Sequence, residues 1–204
     1  MRKLVLTAAS AALAIGLAAP AMAQDAQGPF TGARVEAVLG YDSISDGHDQ
    51  SSSSSDGVTY GGAFGYDWQV GRLIVGAEGE ITGSTTDTRT DNLIANGDSY
   101  RMDAGRDLYA GVRVGAAISP VAMVYAKGGY TNARVDEEYR VGSTRTTGHT
   151  DLDGFRIGAG LEYKTSANTY VKGEYRYSNY SGGDNVYDVD VDRHQVVAGV
   201  GLRF

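Results

Sequence analysis

The chain has no cysteine, three prolines and one tryptophan among 204 residues. Without cysteine there is neither a disulfide framework nor a thiolate metal site. Beyond the first two dozen residues no apolar run approaches the ~20 residues that a membrane-crossing helix needs. A bundle of transmembrane helices is therefore excluded, whereas a membrane protein built from strands is not. Basic charge is also scarce: 18 Lys and Arg stand against 25 Asp and Glu, for a net charge of −7. A chain this acidic is repelled by phosphate backbones, which excludes nucleic acid as the expected partner.

What the chain does have is a secretion-type start. Arg2 and Lys3 precede an apolar run from Leu4 to Ala19, and Ala21-Met22-Ala23 forms a small-x-small cleavage site. Residues 1–23 are expected to be a cleaved signal peptide. Residues 24–204 remain as one domain and are two charges more negative than the full chain. Glycine is abundant, at 29 residues. Each glycine inside a helix costs about 1 kcal/mol relative to alanine, so long helices are disfavoured.

The remainder alternates apolar residues with small or polar ones in segments of about ten, the period of a strand with two unlike faces. In the last segment His194, Val196, Ala198, Val200, Leu202 and Phe204 share one face, with Arg193, Gln195, Val197, Gly199, Gly201 and Arg203 on the other. The same alternation recurs near residues 33–41, 59–69, 73–82, 107–118, 123–131, 154–164 and 171–178, giving eight strands. Short connections follow the second, fourth and sixth strands, at Val70-Gly71, Ser119-Pro120 and Thr165 to Thr169. Long ones, at about 42–57, 84–106, 132–153 and 181–191, follow the others. Short turns at one end and long loops at the other is the layout of an outer-membrane barrel.

A soluble barrel also alternates, but with its apolar face inward. Here the polar face is rich in glycine with scattered charges, as a crowded small-barrel lumen requires. The apolar face carries Tyr66, Trp68, Tyr163, Tyr175, Tyr177 and Phe204 near strand ends, where amphipathic rings suit a membrane interface. The apolar face is therefore read as lipid-facing. In lipid every backbone polar group needs an internal partner, so the sheet must close. The expected fold is an all-β, eight-stranded, antiparallel, up-and-down transmembrane β-barrel.

Gly-Ala-Gly-Leu-Glu-Tyr-Lys at 158–164, Lys-Gly-Glu-Tyr-Arg-Tyr at 172–177, the terminal Gly-Val-Gly-Leu-Arg-Phe and Tyr-Ala-Lys-Gly-Gly-Tyr at 125–130 carry a family resemblance. They look like the small Gram-negative outer-membrane β-barrel proteins: the opacity-protein or porin-family surface antigens and the OmpA-type barrel. The resemblance implies residence in the bacterial outer membrane. It also implies that Phe204 is the signal read by the barrel-insertion machinery. The family shares no single activity.

Three constellations remain. By strand parity Arg34, Glu36, Glu78, Glu80, Arg113, Lys127, Arg156, Glu162, Lys164, Lys172, Glu174, Arg176, Arg193 and Arg203 point into the lumen. Such charges must pair there, because an unpaired buried charge is very costly. They form either a rigid plug or, if the pairing can switch, a gate for ions or small solutes; the plug is the preferred reading. The second constellation is acidic. The 42–57 connection holds Asp42, Asp46, Asp49 and Asp56, and the last one holds Asp184, Asp188, Asp190 and Asp192, with no Lys or Arg in either. Several oxygens suit a divalent cation, but the calcium-loop pattern of Asp or Asn with a central glycine and a closing Glu is absent. A solvated acidic rim is preferred, and no metal or other cofactor is expected. The third is catalysis by a lipid-modifying enzyme, which needs a His with a Ser and an acid at the lipid-facing rim. Only His48, His149 and His194 exist, and no Ser lies two residues from His194. The expectation is a monomeric, non-enzymatic surface protein in contact with lipid and lipopolysaccharide, whose loops meet a host or extracellular ligand.

Overall fold

The computed structural model describes residues 28–46, 54–85, 87–91, 98–141, 144–182 and 189–204. The expected signal peptide lies outside them. Among the described residues nine strands are present: β1 (Gly32–Asp46), β2 (Ser54–Val70), β3 (Leu73–Ser84), β4 (Asp87–Asp91), β5 (Asp98–Ala117), β6 (Ala122–Val141), β7 (Thr144–Lys164), β8 (Thr169–Gly182) and β9 (Val189–Arg203). Every neighbouring pair is antiparallel. β1 pairs with β9, and β3 pairs with β5, so all strands but β4 close into an eight-stranded barrel. Closure leaves no edge within the barrel wall.

The inside–outside pattern is inverted relative to a soluble protein. Arg113, Arg156 and Arg176 are fully buried, while Val112 and Val196 are each 59% exposed. The exposed residues form a continuous apolar belt of Val, Leu, Ile, Phe and Tyr around the barrel. That is far more than the few hundred Å² of apolar patch a soluble monomer tolerates. Aromatic residues gird both ends of the belt. Trp68, Tyr163 and Phe204 lie toward the short turns, and Tyr41, Tyr60, Tyr130, Phe155 and Tyr175 toward the long hairpins.

The short turns, the start of β1 and the C-terminal Phe204 lie at one end of the barrel. Gly71, at φ 61°, makes the tight β2–β3 reversal that a residue with a Cβ would strain. At the other end the strands run further than sequence alternation indicates. The segments 132–153 and 84–106, read above as loops, are largely strand: β6 and β7 stay paired up to Val141↔Thr144, and β4 forms a short hairpin with β5. β5 carries a register shift against β6 between Ala104 and Asp107. Below it β5 pairs with β3, up to Gly83↔Arg106. Above it β4 takes that place, from Asp87↔Asp103. Such irregularities re-aim a strand at a barrel rim. The upper parts of β4, β5, β6 and β7 thus continue as a sheet beyond the barrel. β7 pairs with β8 only from Asp153↔Ser181 downward. Among the described residues, residues 144–152 of β7 have no partner on their outer edge.

Lumen glycines make room for large side chains lying across the wall. A Cβ on Gly201 would sit 2.3 Å from the Tyr170 ring, and one on Gly160 2.7 Å from the Tyr125 hydroxyl. Gly201→Val should therefore cost about 1–3 kcal/mol by overpacking, measured by denaturant unfolding in lipid. An unchanged midpoint would show that Tyr170 does not need that space.

Candidate functional site: the lumen ion-pair network

Strand parity places alternate residues of each wall strand inside the barrel, and the enclosed space is narrow. Among the described residues eight cations are buried there: Arg34, Arg113, Lys127, Arg156, Lys172, Arg176, Arg193 and Arg203. Eight carboxylates are buried with them: Glu36, Asp42, Asp67, Glu78, Glu80, Asp107, Glu162 and Glu174. The two sets balance. Each cation has at least one carboxylate partner, and the pairs join into one connected network along the lumen.

Three tiers build it. Nearest the short turns, Asp67 on β2 accepts from Arg113 Nε at 2.8 Å and from Arg203 Nη1 at 2.7 Å. Glu162 on β7 accepts from Arg203 Nη2 at 2.7 Å and Arg113 Nη2 at 3.1 Å. The Arg113 guanidinium also lies 4.9 Å above the Tyr125 ring, a favourable cation–π placement. In the middle tier Lys127 Nζ donates to Glu78 at 2.7 Å and pairs with Glu174 at 2.8 Å. Arg34 pairs with Glu36 and Glu78, and Lys172 with Glu36. Tyrosine hydroxyls complete these carboxylates: Tyr125 donates to Glu174 at 2.6 Å and Tyr170 to Glu36 at 2.7 Å.

In the third tier, nearest the long hairpins, Arg176 donates through both terminal nitrogens to Glu80, at 2.6 and 2.7 Å. This is the planar fork that makes Arg–carboxylate pairs strong. Arg156 Nη1 reaches the same carboxylate at 3.1 Å. Asp107 accepts from Arg193 at 2.7 Å, the Thr131 hydroxyl at 2.7 Å and the Tyr180 hydroxyl at 2.9 Å, and pairs with Arg156. Asp42 closes the tier, accepting from Arg193 Nε at 2.7 Å and Nη2 at 2.6 Å, and from the Ser84 hydroxyl at 2.6 Å.

Two of the sequence-based assignments change. Lys164 is not part of the network. It sits half-buried at the short-turn mouth, where Nζ donates to the Pro29 carbonyl at 2.7 Å. Asp42, read as a rim acid of the first loop, is fully buried and bound to Arg193. β1 runs to Asp46, which keeps residue 42 inside the wall. Asp67, Asp107, Tyr109, Tyr125, Tyr170 and Tyr180 also went unassigned. The parity-derived set held nine cations against five carboxylates, and that imbalance was the signal that more acids had to face inward. Asp67 already lay on the small and polar parity of its strand, with Thr59, Gly61, Gly65 and Gln69.

The acidic rim is only partly within view. Asp184 and Asp188 lie outside the described residues. Asp190 is in β9, opposite Ser181. Asp192 accepts from the Tyr177 hydroxyl at 2.7 Å and from Asn179 Nδ2 at 3.0 Å. His194, on the outer face, is hydrogen-bonded through Nδ1 to the Tyr175 hydroxyl at 2.7 Å. His149 is exposed on β7, and His48 lies outside the described residues. On the projecting sheet Arg134 Nε donates to Asp151 at 2.9 Å. That hydrogen bond and the guanidinium charge hold the exposed Asp151 carboxyl below its ordinary pKa. Phe204 is exposed at the outer face, and its N–H donates to the Ala33 carbonyl at 2.8 Å.

A closed eight-stranded wall, apolar outside and ion-paired inside, defines a β-barrel of the bacterial outer membrane. The chain belongs to the outer membrane protein beta-barrel domain family, which it matches over residues 9–204. It is 31% identical over 176 residues to the 31 kDa outer-membrane immunogenic protein of Brucella melitensis, covering 77% of this chain and 72% of that one. It is 27% identical over 164 residues to the 22 kDa outer membrane protein of Rhizobium leguminosarum bv. viciae, covering 74% and 70% respectively. Among solved structures, Neisserial surface protein A aligns with a TM-score of 0.54 at 14% identity, over 85% of this chain and 98% of that one. The attachment invasion locus protein of Yersinia pestis aligns at 0.52 and 14%, over 85% and 99%. At such identities the likeness is one of fold.

Proposed function

We propose that this outer-membrane protein acts at the cell surface through its long hairpins, on a barrel whose lumen is occluded by paired charge, and that it is not an enzyme. The observation that carries this reading is the distribution of chain length. β7 has 21 residues and β5 and β6 have 20 each, whereas about 9–11 suffice to cross a bilayer. The excess lies at the long-hairpin end, which in outer-membrane barrels faces the exterior. It includes the outer edge of β7 at residues 144–152, which has no partner among the described residues, and exposed sheet edges take up extended peptide by strand addition. One structure of the Yersinia pestis protein holds a heparin analogue. The acidic character of this chain instead favours a non-polyanionic ligand, such as a protein segment in extended form.

The test is display on a non-adherent Gram-negative strain against immobilised extracellular-matrix protein. The intact protein should bind. A variant with residues 136–149 replaced by a two-residue turn should insert equally well and lose binding. Equal binding by both, or none by the intact protein, sinks the surface-interaction reading.

The occluded lumen has its own test, which also addresses the channel reading. Eight strands enclose a space that side chains fill. Here the filling includes sixteen charged groups held by one another. Currents from the purified protein in planar bilayers should stay near background. Stable, substantial single-channel currents would make a narrow ion path the better account.

Lipid and lipopolysaccharide are the proposed surroundings of the apolar belt. Phe204, on the outward parity of β9, is the proposed insertion signal. Deleting it should leave the chain degraded or aggregated in the periplasm; a normal level of folded barrel in the outer membrane would remove that role.

A further inference from the structure

The four residues ahead of β1 do not hang free below the barrel. They cross its short-turn mouth. Phe30 is fully buried and packs with Ile74 of β3, Met123 and Tyr125 of β6, and the partly buried Ala117 of β5. The backbone around it is tied to three other strands. Phe30 N–H donates to Gln69 Oε1 on β2 at 3.0 Å. Arg203 of β9 donates to the Phe30 carbonyl. Lys164 of β7 donates to the Pro29 carbonyl at 2.7 Å, with its ammonium 5.9 Å from the centroid of the Phe30 ring. A turn closed by Thr31 N–H to the Gly28 carbonyl at 2.9 Å shapes the segment. Gly32, at φ 134°, redirects the chain into β1 where a Cβ would meet the Phe204 carbonyl oxygen at 2.0 Å.

We infer that residues 28–31 are a latched stopper: the N-terminal segment folds back to close the short-turn mouth of the lumen, with Phe30 as its head. Membership of an apolar cluster on the strands opposite β1 is what a cover requires and a simple lead-in to a strand does not. The latch is coupled to the ion-pair network, because Arg203 Nη1 donates both to the Phe30 carbonyl and to Asp67. Opening the stopper therefore removes one partner from a guanidinium that also holds the lowest tier. The Phe30 ring and the backbone carbonyls of Pro29 and Phe30 close this end next to the lowest ion-paired tier. The stopper adds to the occluded-lumen reading without resting on it, since a reactive group under Phe30 reports the mouth and bilayer currents report the whole path.

The absence of cysteine makes a single introduced thiol unambiguous. Ile74→Cys places it beneath Phe30. In the full mature protein refolded in detergent, reaction with a small charged thiol reagent should be slow. Adding Phe30→Ala should accelerate it by about tenfold or more, because a covered group reacts in proportion to the time its cover is open. Adding Phe30→Leu instead should keep the reaction slow. Met123→Cys, on another strand of the same cluster, should give the same order of rates and serves if the Ile74 variant does not refold. Heat-modifiable mobility on gels verifies a folded barrel in each case. Fast reaction of the singly substituted protein, or equal rates with and without Phe30→Ala, overturns the stopper.

Discussion

Glu80→Ala should destabilise the barrel by about 3–5 kcal/mol in equilibrium unfolding from lipid vesicles, the cost of stranding buried charge. Three cations converge on Glu80, as they do on Asp67 and Glu174: Arg176 through both terminal nitrogens, Arg156 at 3.1 Å and Lys127 at 3.6 Å. Its side chain is fully buried, out of contact with bulk solvent. Removing the carboxylate leaves an excess positive charge in the third tier. The companion variant Glu80→Ala/Arg176→Leu removes a charge of each sign and should recover part of the loss, because neighbours in one network are not additive. A loss below about 1 kcal/mol, the range of an exposed pair, would mean that the lumen is wet enough to screen these charges. That outcome would also weaken the occluded-lumen reading. The exposed Arg134–Asp151 pair on the projecting sheet is the internal contrast: Asp151→Ala should fall within that small range.

Val200→Arg should cost about 2–4 kcal/mol in the same measurement, the penalty for a cation on the lipid face near the bilayer midplane. Val200 is half exposed, opposite Ala37 on β1 and Val171 on β8. It lies between the two aromatic girdles, so a guanidinium there has no short route to water. Val200→Leu, which keeps the apolar surface, should be nearly neutral. Val197, three residues away, is buried in the lumen. An arginine there would fail for a different reason, overpacking and an extra charge inside a balanced network. A neutral Val200→Arg would reverse the assignment of the two faces.

These expectations draw on different levels of information. That Val200 faces out and Glu80 faces in follows from parity, a local property with a period of two that any ten-residue window reveals. The same reasoning gave eight wall strands, the short-turn end and the lipid-facing side, since each depends only on alternation, connection length and the types of residue on each face. Most of the buried charges were legible for the same reason. Arg34, Arg113, Arg156 and Arg176 stand at every second position of otherwise apolar or glycine-rich strands.

The partners were not legible. Arg176 meets Glu80 across 96 residues, and Arg193 meets Asp42 across 151. Which residues share a tier depends on strand tilt and stagger around a closed wall, and those are properties of the whole barrel. The inward course of Asp42 and Asp107 was hidden because alternation fades at strand ends, where polar residues occupy both faces. The projecting sheet was hidden in part: residues 132–141 still alternate, with Ala133, Val135, Tyr139 and Val141 opposite Asn132, Arg134, Asp136, Glu138 and Arg140, but residues 144–151 carry no apolar side chain on either face, and it is backbone pairing with 134–141 that makes them strand. Phe30 carried no periodic signal at all. A lone aromatic before the first strand acquires its place only when β3, β5 and β6 close around the mouth. Sequence by itself determined the wall, its two faces and the membrane it suits, because lipid imposes a short-range pattern on every strand. Tertiary structure alone decided which charges neutralise which and what closes the ends, because those contacts join residues that only barrel closure brings together.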